Sequence, residues 1–303
     1  MKNASVHGKL LLVAFIWGVG WVAGRVVAQE IPPFTAGWVR YILAVICFLA
    51  FLKLTNQWLL PKKGQWMMLA KIGFLSTFVY QAFFMYGMKW TAAGDASLMI
   101  TFNPLFTALL AVPFLGERFH KKLGIGIILA FSGVSVLAWY SPNVDIPTQE
   151  RLLGDLLIGL AALSWASATI LMKKAMTGED ALSPLHLTVW ASVVGLLIQT
   201  PAALFEISQV GFAYDASAEA WLWVAFLAIL STVVSYVWFA DGIKIIGAGP
   251  SSFYVYLVPI FGIISGWLIL GEKLGLSLII SFILIVGGVY LAQSKESSST
   301  SDV

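Results

Sequence analysis

The chain has 303 residues, 59% hydrophobic and only 11% charged, with a mean hydropathy of +0.88. A soluble chain carries about 25% charged residues, so this composition excludes a water-soluble globule and points to a polytopic membrane protein. A net charge of +3 without a long basic tract gives no nucleic-acid partner. The single cysteine, Cys47, cannot make an internal disulfide, and no Cys/His cluster has metal spacing.

A membrane-spanning helix needs roughly 20 mostly apolar residues, and ten such runs follow one another. The first, 9–28, continues past Arg25 without a small-residue cleavage region, so it reads as a retained helix rather than a signal peptide. It carries Trp17, Trp21 and Arg25 on one face at four-residue spacing. The second, 34–54, places Arg40 about two turns inside. A charge at such a position costs at least about 2.5 kcal/mol on insertion scales. Arg40 therefore pairs with a substrate carboxylate, pairs with Asp95 or another acid, or snorkels to the headgroups. The third run, 66–88, buries Tyr80 and Gln81, and the fourth, 92–115, holds Ser97, Thr101, Asn103 and Pro104. The fifth spans 123–140.

After a linker from Tyr140 to Asp155, the sixth run, 152–174, repeats the first pattern with Trp165, Thr169 and Lys173. The seventh, 184–206, has His186 and Trp190 four apart, His186 reading as a structural hydrogen-bonder. Beyond a second linker, Glu206 to Glu219, the eighth run (219–242) carries Ser235 and Tyr236, and the ninth (248–270) carries Ser252, Tyr256 and Pro259. The tenth is 276–293, followed by a polar tail, 294–303, of disordered composition. With Lys2 and Lys9 on the inner side, 13 of the 18 Lys and Arg residues fall inside and 5 outside. That bias places both termini in the cytoplasm.

The chain contains the same phrases twice. "LGERF" at Leu115 answers "LGEKL" at Leu270, a shift of 155. At that shift the "LST" of 75–77 meets the "LST" of 230–232, Ala93-Gly94 meets Ala248-Gly249, Ser97 meets Ser252, and Pro104 meets Pro259. At a shift of 148, Trp17 meets Trp165 and Arg25 meets Lys173. The fold class that follows is all-α, ten transmembrane helices in two inverted five-helix repeats, 8–140 and 152–293. Five is an odd number, so the second repeat starts from the opposite side of the membrane.

Across residues 8–293 this ensemble resembles the EamA-type transporters of the drug/metabolite transporter superfamily: ten spans, the repeat shift, "NP" and "VP" at Pro104 and Pro259, and "GE" before each last helix. The resemblance implies a basket-like helical fold with a central cavity, and export of amino acids or other small metabolites across the inner membrane.

Matched prolines in corresponding helices mark the place where a transporter binds its substrate. Each removes one helical hydrogen bond, exposing the carbonyl of Ile100 or Val255 to protein, water or substrate; a simple packing kink is the alternative. Around them, Trp17, Trp21, Arg40, Tyr80, Gln81, Ser97, Thr101, Asn103, Trp165, Ser235, Tyr236, Ser252 and Tyr256 make a candidate polar and aromatic lining. Taken singly, the hydroxyls also fit bonds to their own helices, and the aromatics fit ordinary packing. Glu117 and Glu272 read as structural, bonding backbone N–H groups at the next helix start. No acid lies clearly at mid-span, so ion coupling stays open, as do substrate, direction and oligomeric state. The partners are a small-molecule substrate and the lipid bilayer, with no cofactor. No H-E-x-x-H, G-x-S-x-G or Walker-type loop appears, against a membrane enzyme or an ATP-driven pump. Matched buried polar pairs argue against an inert scaffold or receptor.

Overall fold

The computed structural model describes residues 2–143, 145–177 and 180–294, with side chains from residue 5 onward except at 248–249. The tail from 295 lies outside the described residues. Ten helices are long and apolar enough to cross a membrane: α1 (Ser5–Glu30), α2 (Pro33–Leu54), α3 (Lys63–Trp90), α4 (Ala93–Leu115), α5 (Lys121–Tyr140), α6 (Thr148–Ala175), α7 (Pro184–Val210), α8 (Ala218–Ile246), α9 (Pro250–Leu270) and α10 (Leu276–Gln293). Among the described residues there is no strand.

Several helices run past the apolar stretch that marks them. The last residues expected in the 140–155 linker, Arg151 and Asp155 included, are the first turns of α6. Their charges did not end the helix because both are buried and paired across one turn. Helix starts are capped by side chains from elsewhere in the chain. Glu206 of α7 accepts from Thr35 N (2.7 Å) at the start of α2, and Glu30 of α1 accepts from Ser217 N (2.7 Å) just before α8. An apolar surrounding supplies no water to these orphan N–H groups, so a carboxylate does.

Helices pack in a pattern that exchanges the two halves of the chain. α3 lies on α6 as α8 lies on α1, and α4 lies on α6 as α9 lies on α1. α2 packs on α7 and α5 on α10. Counterparts that touch run antiparallel. Thr35 meets Glu206 while Phe48 clusters with Val189, and Gly126 meets Gly288 while Gly133 meets Ser281. Gly126 and Gly288 let α5 and α10 touch backbone to backbone: a Cβ on either falls against the other's carbonyl oxygen. Gly116 and Gly271 end α4 and α9 in the left-handed region, at φ 72° and 69°, where a side chain is strained.

The prolines break their helices as the sequence predicts, and the breaks match. A 3₁₀ turn, Ile100–Phe102, precedes the resumed helix at Asn103-Pro104, and a second, Tyr254–Leu257, precedes Val258-Pro259. The freed carbonyls do not face a cavity. Asn103 N donates to Ile100 O and Val258 N to Val255 O, so the tighter turn satisfies both within the backbone.

The two ends of the bundle differ. Residues 91–99, at the start of α4, are buried throughout, whereas of 250–257, at the start of α9, only Ser251 is buried. The α9 start also meets the first and last helices: His7 Nδ1 lies 2.6 Å from Tyr254 Oη, and Tyr256 Oη donates to Gln293 Oε1 at 2.5 Å. By burial, the α4 start is thus the closed end and the α9 start, beside His7 and Gln293, the open one.

Gly126→Val forces a branched side chain against Gly288 and Ala292. The expected loss is about 1–3 kcal/mol, read as a lower unfolding temperature in detergent. Gly287→Val, where a Cβ meets nothing within 4 Å, should leave that temperature unchanged.

Candidate functional site

Local geometry explains why Leu-Ser-Thr occurs twice. Each copy lies in a π-helical segment, Phe74–Val79 in α3 and Leu227–Val234 in α8. A π turn widens the helix and pushes residues out of the i to i−4 ladder. In α8 the hydroxyls follow the wider spacing: Thr232 Oγ1 donates to Leu227 O and Ser235 Oγ to Leu230 O, both at 2.8 Å and five residues back. Immediately after these segments come Tyr80-Gln81 in α3 and Ser235-Tyr236 in α8. The distortions therefore directly precede the candidate residues of both halves.

Six rings form an arc between the halves. Trp21 packs on Phe84 (5.3 Å between centroids), Phe84 on Tyr80 (6.0 Å) and Tyr80 on Trp165 (5.2 Å). Trp165 stacks on Tyr236 (5.9 Å, 7° between planes), and Tyr236 meets Trp17 (5.9 Å). Trp165 on Tyr80 and Trp17 on Tyr236 each join one half to the other, although at the shift of 155 Tyr80 corresponds to Ser235 and Tyr236 to Gln81. Trp17 Nε1 donates to Ser231 O at 2.9 Å, which the π turn leaves available. Tyr80, Trp165, Tyr236 and Trp17 are each half-buried although other helices flank them.

Arg40 stands beside this arc. It is buried, so it does not snorkel, and Asp95 is not its partner, since Asp95 bonds elsewhere. Its Nη1 donates to Gln81 Oε1 (3.2 Å) and its Nη2 to Thr232 Oγ1 (3.0 Å). The guanidinium also lies 5.8 Å from the ring centres of Tyr41 and Phe84. Among the described residues, Arg40 Nε and Gln81 Nε2 have no acceptor. Two N–H donors and a positive charge thus lie buried within one hydrogen-bonded pair, and a carboxylate is the acceptor such donors suit.

The other residues expected in the lining lie elsewhere. Ser97 is fully buried where α4 crosses α9 and donates to Gly94 O (2.7 Å), against Gly262. Thr101 Oγ1 donates to Ser97 O (3.1 Å), and Asn103 Oδ1 accepts from Thr107 (3.3 Å). Ser235 is buried and bonded to its own helix. Tyr256 reaches Gln293 and Ser252 is exposed, both at the open end. Serine and threonine satisfied by their own backbone are common in apolar helices. His186 and Trp190 hold the α2–α3 loop, His186 Nε2 at 2.7 Å from Gln57 O and Trp190 Nε1 donating to Leu59 O at 2.9 Å. Sequence reasoning missed Thr232, Tyr41 and Phe84. The repeated "LST" was the available signal for Thr232.

A second buried polar cluster seals the closed end. Arg151 Nη1 lies 3.4 Å from Asp95 Oδ2 and 3.6 Å from Asp155 Oδ2, with all three side chains under 10% exposed. Ser141 Oγ (2.7 Å) and Asn143 Nδ2 (3.2 Å) donate to Asp95, and Thr91 Oγ1 donates to Asp155 (2.5 Å). Beside it, Glu272 accepts from the N–H groups of Ala93 (2.6 Å) and Gly94 (2.9 Å) at the start of α4. Glu272 is structural, as the sequence predicts, but the helix it caps belongs to the other half rather than being the next one. Burial holds its carboxyl above the ordinary range, opposed by those two N–H groups.

The sequence profile of the EamA-like transporter family matches residues 7–139 and, a second time, residues 152–293. The chain belongs to the EamA-like transporter family. It is therefore a membrane transporter. An uncharacterized transporter of Archaeoglobus fulgidus is 28% identical over 97% of this chain and 99% of its own length. The uncharacterized transporter YetK of Bacillus subtilis is 26% identical over 97% and 88%. A probable amino-acid metabolite efflux pump of Escherichia coli is 29% identical over 93% and 92%. A crystal structure of a protein 18% identical has a TM-score of 0.64 over 96% of this EamA-like chain and 97% of that one, which shows a shared fold.

Arg151→Ala leaves two buried carboxylates without their cation. The expected cost is about 3–5 kcal/mol, seen as reduced membrane levels and a lower unfolding temperature. Adding Asp95→Asn should restore part of the loss.

Proposed function

We propose that this transporter is a secondary carrier for small metabolites bearing a carboxylate, amino acids among them, held between the aromatic arc and Arg40. The observation that carries the reading is the pair of unaccepted donors, Arg40 Nε and Gln81 Nε2, buried beside half-buried rings at the seam of the halves. Burying a guanidinium without a counter-carboxylate is expensive. A carboxylate ligand offsets that cost at the moment it binds, which gives both affinity and selectivity. The ring faces suit an apolar or aromatic side chain and an ammonium group.

The two halves act as inverted repeats and exchange shapes around this seam. In support, counterpart helices run antiparallel and pair as a two-fold exchange requires. The lysine and arginine bias sets both termini in the cytoplasm of a cell with the protein in its inner membrane. On that orientation the open end faces the cytoplasm, where an exporter loads. The efflux assigned by name to the Escherichia coli relative points to the same direction and to amino acids.

The test is flux of radiolabelled amino acids and of their decarboxylated amines into proteoliposomes. Arg40→Ala should lower amino-acid flux about ten- to a hundredfold, since hydrogen bonds to a charged group are worth about 1.5–3 kcal/mol, with protein level unchanged. Amine flux should change far less. Tyr80→Ala, Trp165→Ala and Tyr236→Ala should each reduce flux of both classes. Normal amino-acid flux in Arg40→Ala would remove the carboxylate site, and normal flux in all three ring variants would remove the chamber.

A further inference from the structure

Glu272 stands at an unusual place for a buried acid. It follows Leu270-Gly271 at the end of α9, and its carboxylate reaches across to the first turn of α4, in the other half. Its Oε2 lies against Gly94 and Gly266, where a Cβ on either glycine would crowd it. The N–H groups of Ala93 and Gly94 have no partner within α4, because a first turn has no preceding carbonyls. This carboxylate therefore does two things at once: it caps α4 and it fastens the α4 start against the α9–α10 corner. Arg151, Asp95, Asn143 and the backbone N of Lys273 complete the seal, Asn143 Oδ1 accepting from Lys273 N at 3.0 Å.

The same parts exist at the other end. Leu115-Gly116-Glu117 matches Leu270-Gly271-Glu272 at the shift of 155, and Ala248-Gly249 matches Ala93-Gly94. The corners are built alike. Gly116 and Gly271 are both left-handed, and Glu117 N and Glu272 N each donate 3.2 Å to the carbonyl six residues back, Ala111 O and Gly266 O. Yet Glu117 is exposed, and of residues 250–257, which follow Ala248-Gly249, only Ser251 is buried.

We infer that Glu272 and Glu117 are alternating latches of the two mouths: Glu272 closes one by capping α4 at Ala93-Gly94, and in the opposite state Glu117 closes the other by capping α9 at Ala248-Gly249. The inference rests on the inverted-repeat reading above. When a mouth opens, water takes over the first-turn N–H groups and the carboxylate, so neither is stranded in hydrocarbon. When it closes, the two charge-assisted bonds form and water leaves. The latches are unequal. Ala111 stands where Gly266 makes room for the Glu272 carboxylate, so Glu117 has the tighter seat and the Glu272-closed state is the favoured one.

Hydrogen–deuterium exchange on the full chain in lipid nanodiscs reads both mouths in one experiment, through peptides covering 92–99 and 248–257. Glu117→Ala removes only the minor state's latch. Exchange at 92–99, which proceeds by opening of that mouth, should slow about tenfold, the population change expected for loss of a charged hydrogen bond. Glu272→Ala should do the reverse, speeding exchange at 92–99 and slowing it at 248–257. Opposite shifts are a result that a purely structural role for either acid does not produce. Glu272→Gln, which keeps one acceptor, should move exchange in the direction of Glu272→Ala by less, and stands in for it if the alanine variant does not fold. Unchanged exchange at 92–99 in Glu117→Ala, or shifts of the same sign in both variants, would overturn the latch. Absence of flux in the wild-type protein bears on the carrier reading instead, since the exchange pattern judges the latch without any solute.

Discussion

In an apolar surrounding every backbone N–H and C=O must find a partner inside the protein, and most of this architecture answers that demand. Where proline removes a bond, at Pro104 and Pro259, a 3₁₀ turn takes up the carbonyl left behind. Where α3 and α8 widen into π turns, hydroxyls and a tryptophan N–H bond the displaced carbonyls. Helix starts that water would cap in a soluble protein are capped by Glu206, Glu30 and Glu272 from distant segments. Each such carboxylate joins two helices as well as satisfying one of them. Capping and tertiary assembly are here the same interaction.

The exceptions gain meaning from that background. Four buried side-chain atoms lack a partner among the described residues, and two of the four, Arg40 Nε and Gln81 Nε2, belong to one hydrogen-bonded pair. They sit beside a row of six rings, four of them half-buried. The second buried guanidinium, Arg151, has two carboxylates and two backbone carbonyls around it. One arginine is thus saturated by the protein and the other is not, which separates a structural cation from one suited to a ligand.

The repeat and its imperfections divide the labour. Trp17 and Trp165 are counterparts, and each packs on a tyrosine of the other half, Tyr236 and Tyr80. Arg40 has no cationic counterpart among the described helix interiors of the second half, and it breaks the symmetry at the centre. At the mouths the corners are alike, but one glutamate is bonded and the other exposed.

Much of this was legible in residues alone. The ten spans follow from apolar run length, because only helices about 20 residues long satisfy the backbone across hydrocarbon. The 155-residue shift, the paired prolines and the weight on Tyr80, Trp165, Tyr236 and Arg40 also came from the sequence. Side-chain partners did not. Ser97, Thr101 and Ser235 read as lining, yet their hydroxyls turn to their own helices, because rotamer and local carbonyl decide that choice and spacing does not. Arg151 and Asp155 read as linker charges, and only their burial against Asp95 shows them to be a seal. The sequence by itself determined the number of helices, their breaks and their doubling, since those depend on local backbone chemistry. The tertiary structure alone decided which helix start is buried and which arginine is left with an unpaired donor, since both depend on contacts between residues far apart in the chain.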